Sequence, residues 1–158
     1  MRHLFLAAPL AVCLRLAMVL PVAADTAPPP EGGLTVTVTA ATVQAKTGLL
    51  TVRGEITCEV DLDNLGAFVD VTRKGGRFRV VQGFGDAEGL SCVAGETIAF
   101  STSFTADQGK FTPGRATYSV AAQGQGGCVE DPDTGDMTCE NEGFATQGPL
   151  AIRLGARH

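Results

Sequence analysis

The residues of this chain that come closest to a chemical motif are carboxylates. Asp131-Pro132-Asp133-Thr134-Gly135-Asp136, with Glu142 further on, places Asp131, Asp133 and Glu142 at relative positions 1, 3 and 12 of a calcium loop. Such a loop needs glycine at position 6 for its sharp turn. This chain has Asp136 there and Gly135 one place earlier. No helical pattern flanks the segment, so it is not an EF-hand. It reads first as a solvated acidic turn. The second reading is a hard-cation site of looser geometry, built from Asp131, Asp133 and Glu142 with Asp61 and Asp63 at the same end of the fold.

Other chemistry is poorly supplied. The two histidines, His3 and His158, stand near the two ends, so a nucleophile–imidazole arrangement has no base on the body of the chain. Paired carboxylates could hydrolyse glycosides, but sugar sites usually add tryptophan or tyrosine platforms. The chain has no tryptophan and one tyrosine, Tyr118. Gly124, Gly126 and Gly127 follow a strand pattern yet lead into no helix and no lysine, so they form no phosphate loop. No catalytic residue and no cofactor are assigned.

The composition of the 158 residues fits one folded unit. Hydrophobic residues make up 44% and charged residues 18%, too apolar for a disordered chain. A net charge of −5 argues against a nucleic-acid partner. Residues 1–24 read as an export signal: Arg2, an apolar run interrupted by Arg15, then Pro21 and the small residues Ala23 and Ala24. Its removal takes Arg2 and Arg15 from the 12 Lys/Arg and none of the 17 Asp/Glu, leaving about −7. It also takes Cys13. The mature chain then has no transmembrane segment and keeps Cys58, Cys92, Cys128 and Cys139. An even cysteine count in an exported chain reads as disulfides. A four-cysteine zinc site is disfavoured because no C-x-x-C pair exists.

Residues 25–33 form a proline-rich lead, and 34–158 carry the elements that must position any site. Leu34, Val36 and Val38 alternate with threonines, and the same period of two recurs at 50–58, 98–104 and 116–122. Seven strands are expected, at about 34–45, 48–59, 67–74, 77–84, 96–105, 112–123 and 143–154. Gly75-Gly76 suits a two-residue hairpin loop. It would pair Val71 with Val80 and Arg73 with Phe78, placing Val69, Val71, Phe78 and Val80 on one face. A Gly75→Val change should then strain the turn. The expected fold is an all-β, antiparallel, immunoglobulin-like sandwich of about seven strands.

An export signal, a proline-rich lead, Ile56-Thr57-Cys58, the hairpin centred on Arg77, Cys92, the Gly109–Gly114 turn and a closing cysteine pair together resemble small secreted proteins of high-GC bacteria. The resemblance implies two disulfides, an immunoglobulin-like fold and no assigned function. The chain is also similar to apoproteins that carry enediyne chromophores, but those close shorter cysteine loops. Neither resemblance supplies a site residue.

Strands that run alternately up and down gather the loops 59–67, 84–96 and 124–142 at one end. All four remaining cysteines fall there. Of the three possible pairings, Cys58–Cys92 with Cys128–Cys139 leaves neighbouring strands in place. The same end collects Glu59, Asp61, Asp63, Asp86, Glu88, Glu130, Asp131, Asp133, Asp136, Glu140 and Glu142. The other collects Lys46, Arg73, Lys74, Arg77 and Lys110. The functional expectation is a secreted, non-enzymatic binding module. Its acidic loops would meet a protein or cell-surface partner of basic character. The alternative is a small-ligand carrier with a pocket between the sheets, lined by Phe78, Phe100, Phe104 and Tyr118.

Overall fold

Alternation of apolar with hydroxyl-bearing residues gives each strand one face for a core and one for water. The computed structural model describes residues 32–75 and 79–157, and every regular element in it is a strand. Residues 1–31, which hold the expected export signal and most of the expected lead, together with Gly76, Arg77, Phe78 and His158, lie outside the described residues. The strands are β1 (Leu34–Gln44), β2 (Leu50–Cys58), β3 (Leu62–Gly75), β4 (Arg79–Cys92), β5 (Thr97–Phe104), β6 (Gly114–Glu130) and β7 (Met137–Arg157). Among the described residues no helix is long and apolar enough to cross a membrane.

The strands form one sheet in the order β4-β3-β6-β7-β1-β2-β5, curled into a half-barrel. All pairings are antiparallel except one. Thr42, Val43 and Gln44 of β1 lie parallel to Gly155, Ala156 and Arg157 of β7. The sheet is therefore mixed, not wholly antiparallel as expected. A bulge makes this possible. The β1–β2 register slips between Val38 and Ala40, so Leu34 and Val36 face inward before it, and Ala41 and Val43 after it. The extra residue bends β1 away from β2's direct course without exposing its apolar side.

The core comes from both halves of the sheet. Leu34, Val43, Leu50, Val52 and Ile56 pack against Leu62, Leu65, Val69, Val71 and Leu154, all essentially without exposure. Phe111, from the segment between β5 and β6, is fully buried and meets Phe104 edge to face, with ring centroids 6.0 Å apart. Tyr118 is buried with them, and its hydroxyl donates to Gln147 Oε1 at 3.0 Å. On the outer side of β2 and β5, Thr51 and Thr57 share hydroxyl hydrogen bonds with Ser103 and Thr97, each at 2.8 Å.

The free edges of the sheet, β4 and β5, meet without a ladder. Asp107 N–H donates to the Gln82 carbonyl at 2.9 Å. Gly83 and Gly85 leave room for Phe111 and for the Phe104 ring, which a Cβ at Gly85 would overlap. This seam corrects the hairpin register. Val71 pairs with Gly83 rather than Val80, and Arg73 with Val81 rather than Phe78. The last pair is Gly75 with Arg79, so three residues separate the strands instead of two. A shift by an odd number reverses the faces. Val81 is buried, whereas Val80 is 57% exposed. Gly75 has no positive φ, and a Cβ there would meet only ordinary van der Waals neighbours, the nearest being the Arg73 guanidinium at 3.6 Å.

Two outcomes follow from this packing. Gly85→Val should overpack the seam and cost about 1–3 kcal/mol, while Gly75→Val should leave the melting temperature nearly unchanged. Thermal unfolding followed by circular dichroism separates the two. Burial raises the Tyr118 pKa above its ordinary value of 10.0. The contribution of this group to stability is intact below pH 10 and is lost as pH rises through the folded-state pKa. Tyr118 is the one tyrosine and no tryptophan overlaps it, so absorbance at the tyrosinate band should titrate a single group with a midpoint above 10. Tyr118→Phe should remove that alkaline loss of stability.

Candidate functional site

On the outer side of β3, β6 and β7 the register lines up two rows of residues. Asn64 pairs with Gln125, and Gln125 with Glu142. One step along, Gly66 pairs with Gln123, and Gln123 with Phe144. The first row is wholly polar. The second has no side chain on β3, an amide on β6 and an aromatic ring on β7. Gly66 thus leaves a hollow in the sheet surface, walled by Phe68 on the same strand and by Phe144 two strands away. Register slips on both sides of Leu65 carry Glu88 and Gly89 of β4 over the near rim. At the far rim Phe144 N–H donates to the Gly32 carbonyl at 3.0 Å, which ties the end of the lead to the groove.

The groove encloses about 850 Å³, within the usual span for ligand sites. Phe144 is 53% exposed there, and Phe84 on β4 equally so. Phe84 stacks on Phe68 at 6.2 Å between centroids, extending the apolar wall. Two carboxylates, Glu88 and Glu142, stand at the rim, and among the described residues no lysine, arginine or histidine lines the groove. The arrangement can stack a flat or apolar group, offer amide hydrogen bonds from Asn64, Gln123 and Gln125, and favour positive charge.

The carboxylates picked out from sequence are placed otherwise than the calcium reading requires. Beyond Gly126 and Asn141, β6 and β7 continue as a two-stranded finger to Glu130 and Met137. Asp131 and Asp133 sit at its tip. The Asp131 carboxylate accepts N–H bonds from Asp133 at 2.8 Å and Thr134 at 3.3 Å, so it serves as the cap of its own turn. Glu142 lies five residues from Met137 along β7, roughly 17 Å at strand rise, and faces the groove. Asp131, Asp133 and Glu142 therefore do not converge, and no group of three or more metal-ligating side chains forms among the described residues. Asp61 and Asp63 are also engaged. They accept from Ala94 N–H at 2.7 Å and Gly127 N–H at 3.0 Å.

The two disulfides join Cys58 to Cys92 and Cys128 to Cys139. Cys58 and Cys92 are buried beside the core. Cys128 and Cys139 are direct cross-strand partners that clamp the finger. Asp86 and Glu88 belong to β4, which runs through to Cys92, and not to an end loop as expected. Asp86 pairs with Phe68 in mid-strand.

Of the residues expected to line an internal pocket, Phe100, Phe104 and Tyr118 are packed into the core, and Phe78 lies outside the described residues. A smaller cavity of about 370 Å³ is lined by Thr42, Gln44, Leu49, Thr51 and Arg157. The groove residues Phe68, Gln123, Gln125 and Phe144 were not singled out from sequence. The signal that could have found them was the phase of the strands, since each of these four stands in a water-facing position, where an aromatic ring has to be accounted for.

Comparison with family models, with curated proteins and with solved structures finds no match to this chain.

With Asp131 committed to its turn, calcium and magnesium should raise the melting temperature equally, and only as far as ionic strength relieves carboxylate repulsion. Calorimetric titration giving a stoichiometric, calcium-selective site would contradict this.

Proposed function

We propose that the protein is an exported, non-enzymatic binding module whose recognition site is the groove between Phe68 and Phe144. The observation that carries the reading is the composition of that groove: the exposed Phe144 ring opposite the half-buried Phe68, three side-chain amides and two rim carboxylates, with no cation among the described lining residues. The partner it suits presents a positive group on an apolar or flat body, such as a lysine- or arginine-bearing segment of another protein or of a cell-surface component. Among the described residues the lining offers no thiol, hydroxyl or imidazole nucleophile, and this supports the binding reading.

Export and an immunoglobulin-like architecture belong to the same proposal. Two disulfides suit an oxidising compartment, and so does the signal pattern at 1–24. If the sheet is divided at the short β7–β1 junction, it gives β1-β2-β5 and β4-β3-β6-β7. An immunoglobulin constant-type sandwich divides its seven strands between the same two groups, except that its fourth strand joins the first group.

The test uses a fluorescent peptide of alternating lysine and leucine, with a glutamate–leucine peptide as control. Saturable binding of the lysine peptide alone is expected. Phe144→Ala and Glu142→Gln should each weaken it by about tenfold, a loss of roughly 1.4 kcal/mol. Thr51→Ala, in the smaller cavity, should leave it unchanged. Binding indifferent to Phe144 and Glu142 would remove the groove from consideration.

A further inference from the structure

At the end of the sheet opposite the finger, the outer surface carries an arrangement that a sheet normally avoids. Arg115 of β6 and Arg153 of β7 are direct cross-strand partners, both exposed. Like charges in that relation repel. On the neighbouring strand, Thr72 pairs with Thr117, and the next position on the same face beyond each is Lys74 on β3 and Arg115 on β6. Three cations from three adjacent strands thus stand in a row, at strand spacings of about 4.8 Å. Back along β3 from Lys74, the first carboxylate on this face is Asp70, which takes a hydrogen bond from Gln82 Nε2 at 3.1 Å. Asp107 is the acid of the adjoining turn, and its N–H holds the β4–β5 seam.

The finger is the complement of this row. Its strands run past the last β3–β6 pair, Asn64 with Gln125, and beyond Gly127, whose N–H donates to Asp63, no third strand pairs with them among the described residues. It bears Glu130, Asp131, Asp133, Asp136 and Glu140, all exposed, and no lysine or arginine. The Cys128–Cys139 bridge and the Asp131 turn hold its shape before any partner arrives, which lowers the entropic cost of docking. A chain cannot bring its own finger to its own row. Arg115 and Glu130 sit near opposite ends of the 17-residue β6, of the order of 50 Å apart at strand rise. Screening in physiological salt acts over about 8 Å.

We infer that the row Lys74–Arg115–Arg153 is a docking surface for the acidic finger of a second copy of this chain. The contact is head-to-tail, so each copy keeps one free finger and one free row, and assembly is open-ended. It uses neither Phe68 nor Phe144 and stands apart from the groove reading.

Sedimentation velocity of the purified protein at low and high salt tests this. At low salt the average mass should rise with concentration past that of a dimer, and high salt should return it to monomer. Arg115→Gln/Arg153→Gln should be monomeric at low salt with a melting temperature no lower than that of the parent, because a repulsive pair is gone. Glu130→Gln/Asp133→Asn/Asp136→Asn/Glu140→Gln, which spares the Asp131 cap, should be monomeric too. Mixed together, these two variants should form a dimer and stop there, since one supplies a finger and the other a row. Phe144→Ala should assemble like the parent. A parent that stays monomeric at low salt, or a row variant that assembles as the parent does, would overturn the inference.

Discussion

Three residue pairs, Thr42–Gly155, Val43–Ala156 and Gln44–Arg157, join what would otherwise be two separate sheets. They are the one parallel contact in the described fold, and they exist because β1 changes course at its bulge. Before the bulge β1 presents Leu34 and Val36 to the core as a partner of β2. After it, Ala41 and Val43 still face inward, but the outer edge of the strand has turned to receive the end of β7. Once β7 is fixed there, β6 and β3 follow in antiparallel order, and β4 arrives against β5. At that meeting only glycine leaves enough room, which is why Gly83 and Gly85 face Phe111 and Phe104. The β3–β4 register is thus matched to the room that two rings need where β4 meets β5.

The number of strands and their order along the chain were legible in the sequence, because each rests on local alternation. Leu50–Cys58 and Thr97–Phe104 occupy nearly the spans that alternation indicates. What alternation could not show was anything decided by contact between distant strands. Gly75-Gly76 carries the sequence signature of a turn, but the small size of Gly83 and Gly85 is what suits the observed register. The strands β6 and β7 extend well past their expected limits because the cysteine pair sits inside a ladder rather than at the mouth of a loop. The acidic residues of that region looked like one cluster in sequence. In space Asp61, Asp63 and Asp131 cap backbone N–H groups, Glu142 turns to the groove, and Asp86 lies in mid-strand.

The two outer surfaces of the curled sheet follow different rules. Over β2 and β5, hydroxyls pair across strands, Thr51 with Ser103 and Thr57 with Thr97, so the surface satisfies itself. Over β3, β6 and β7, the surface departs from this pattern at two places. At one end Phe144 is half exposed above a hollow opened by Gly66, with Phe84 of β4 half exposed against Phe68, and at the other Arg115 faces Arg153. Exposed rings and opposed like charges each cost stability in isolation. Sequences that fold well keep their local choices consistent with the global structure, and departures from that consistency concentrate where function demands them. Here both departures lie on one surface, spanned by the same three strands. A rigid core that fixes β3, β6 and β7 in register therefore also fixes the distance and orientation between the groove and the cationic row. Two contacts made on that surface would be held in constant relation by the backbone itself, without any hinge or second domain.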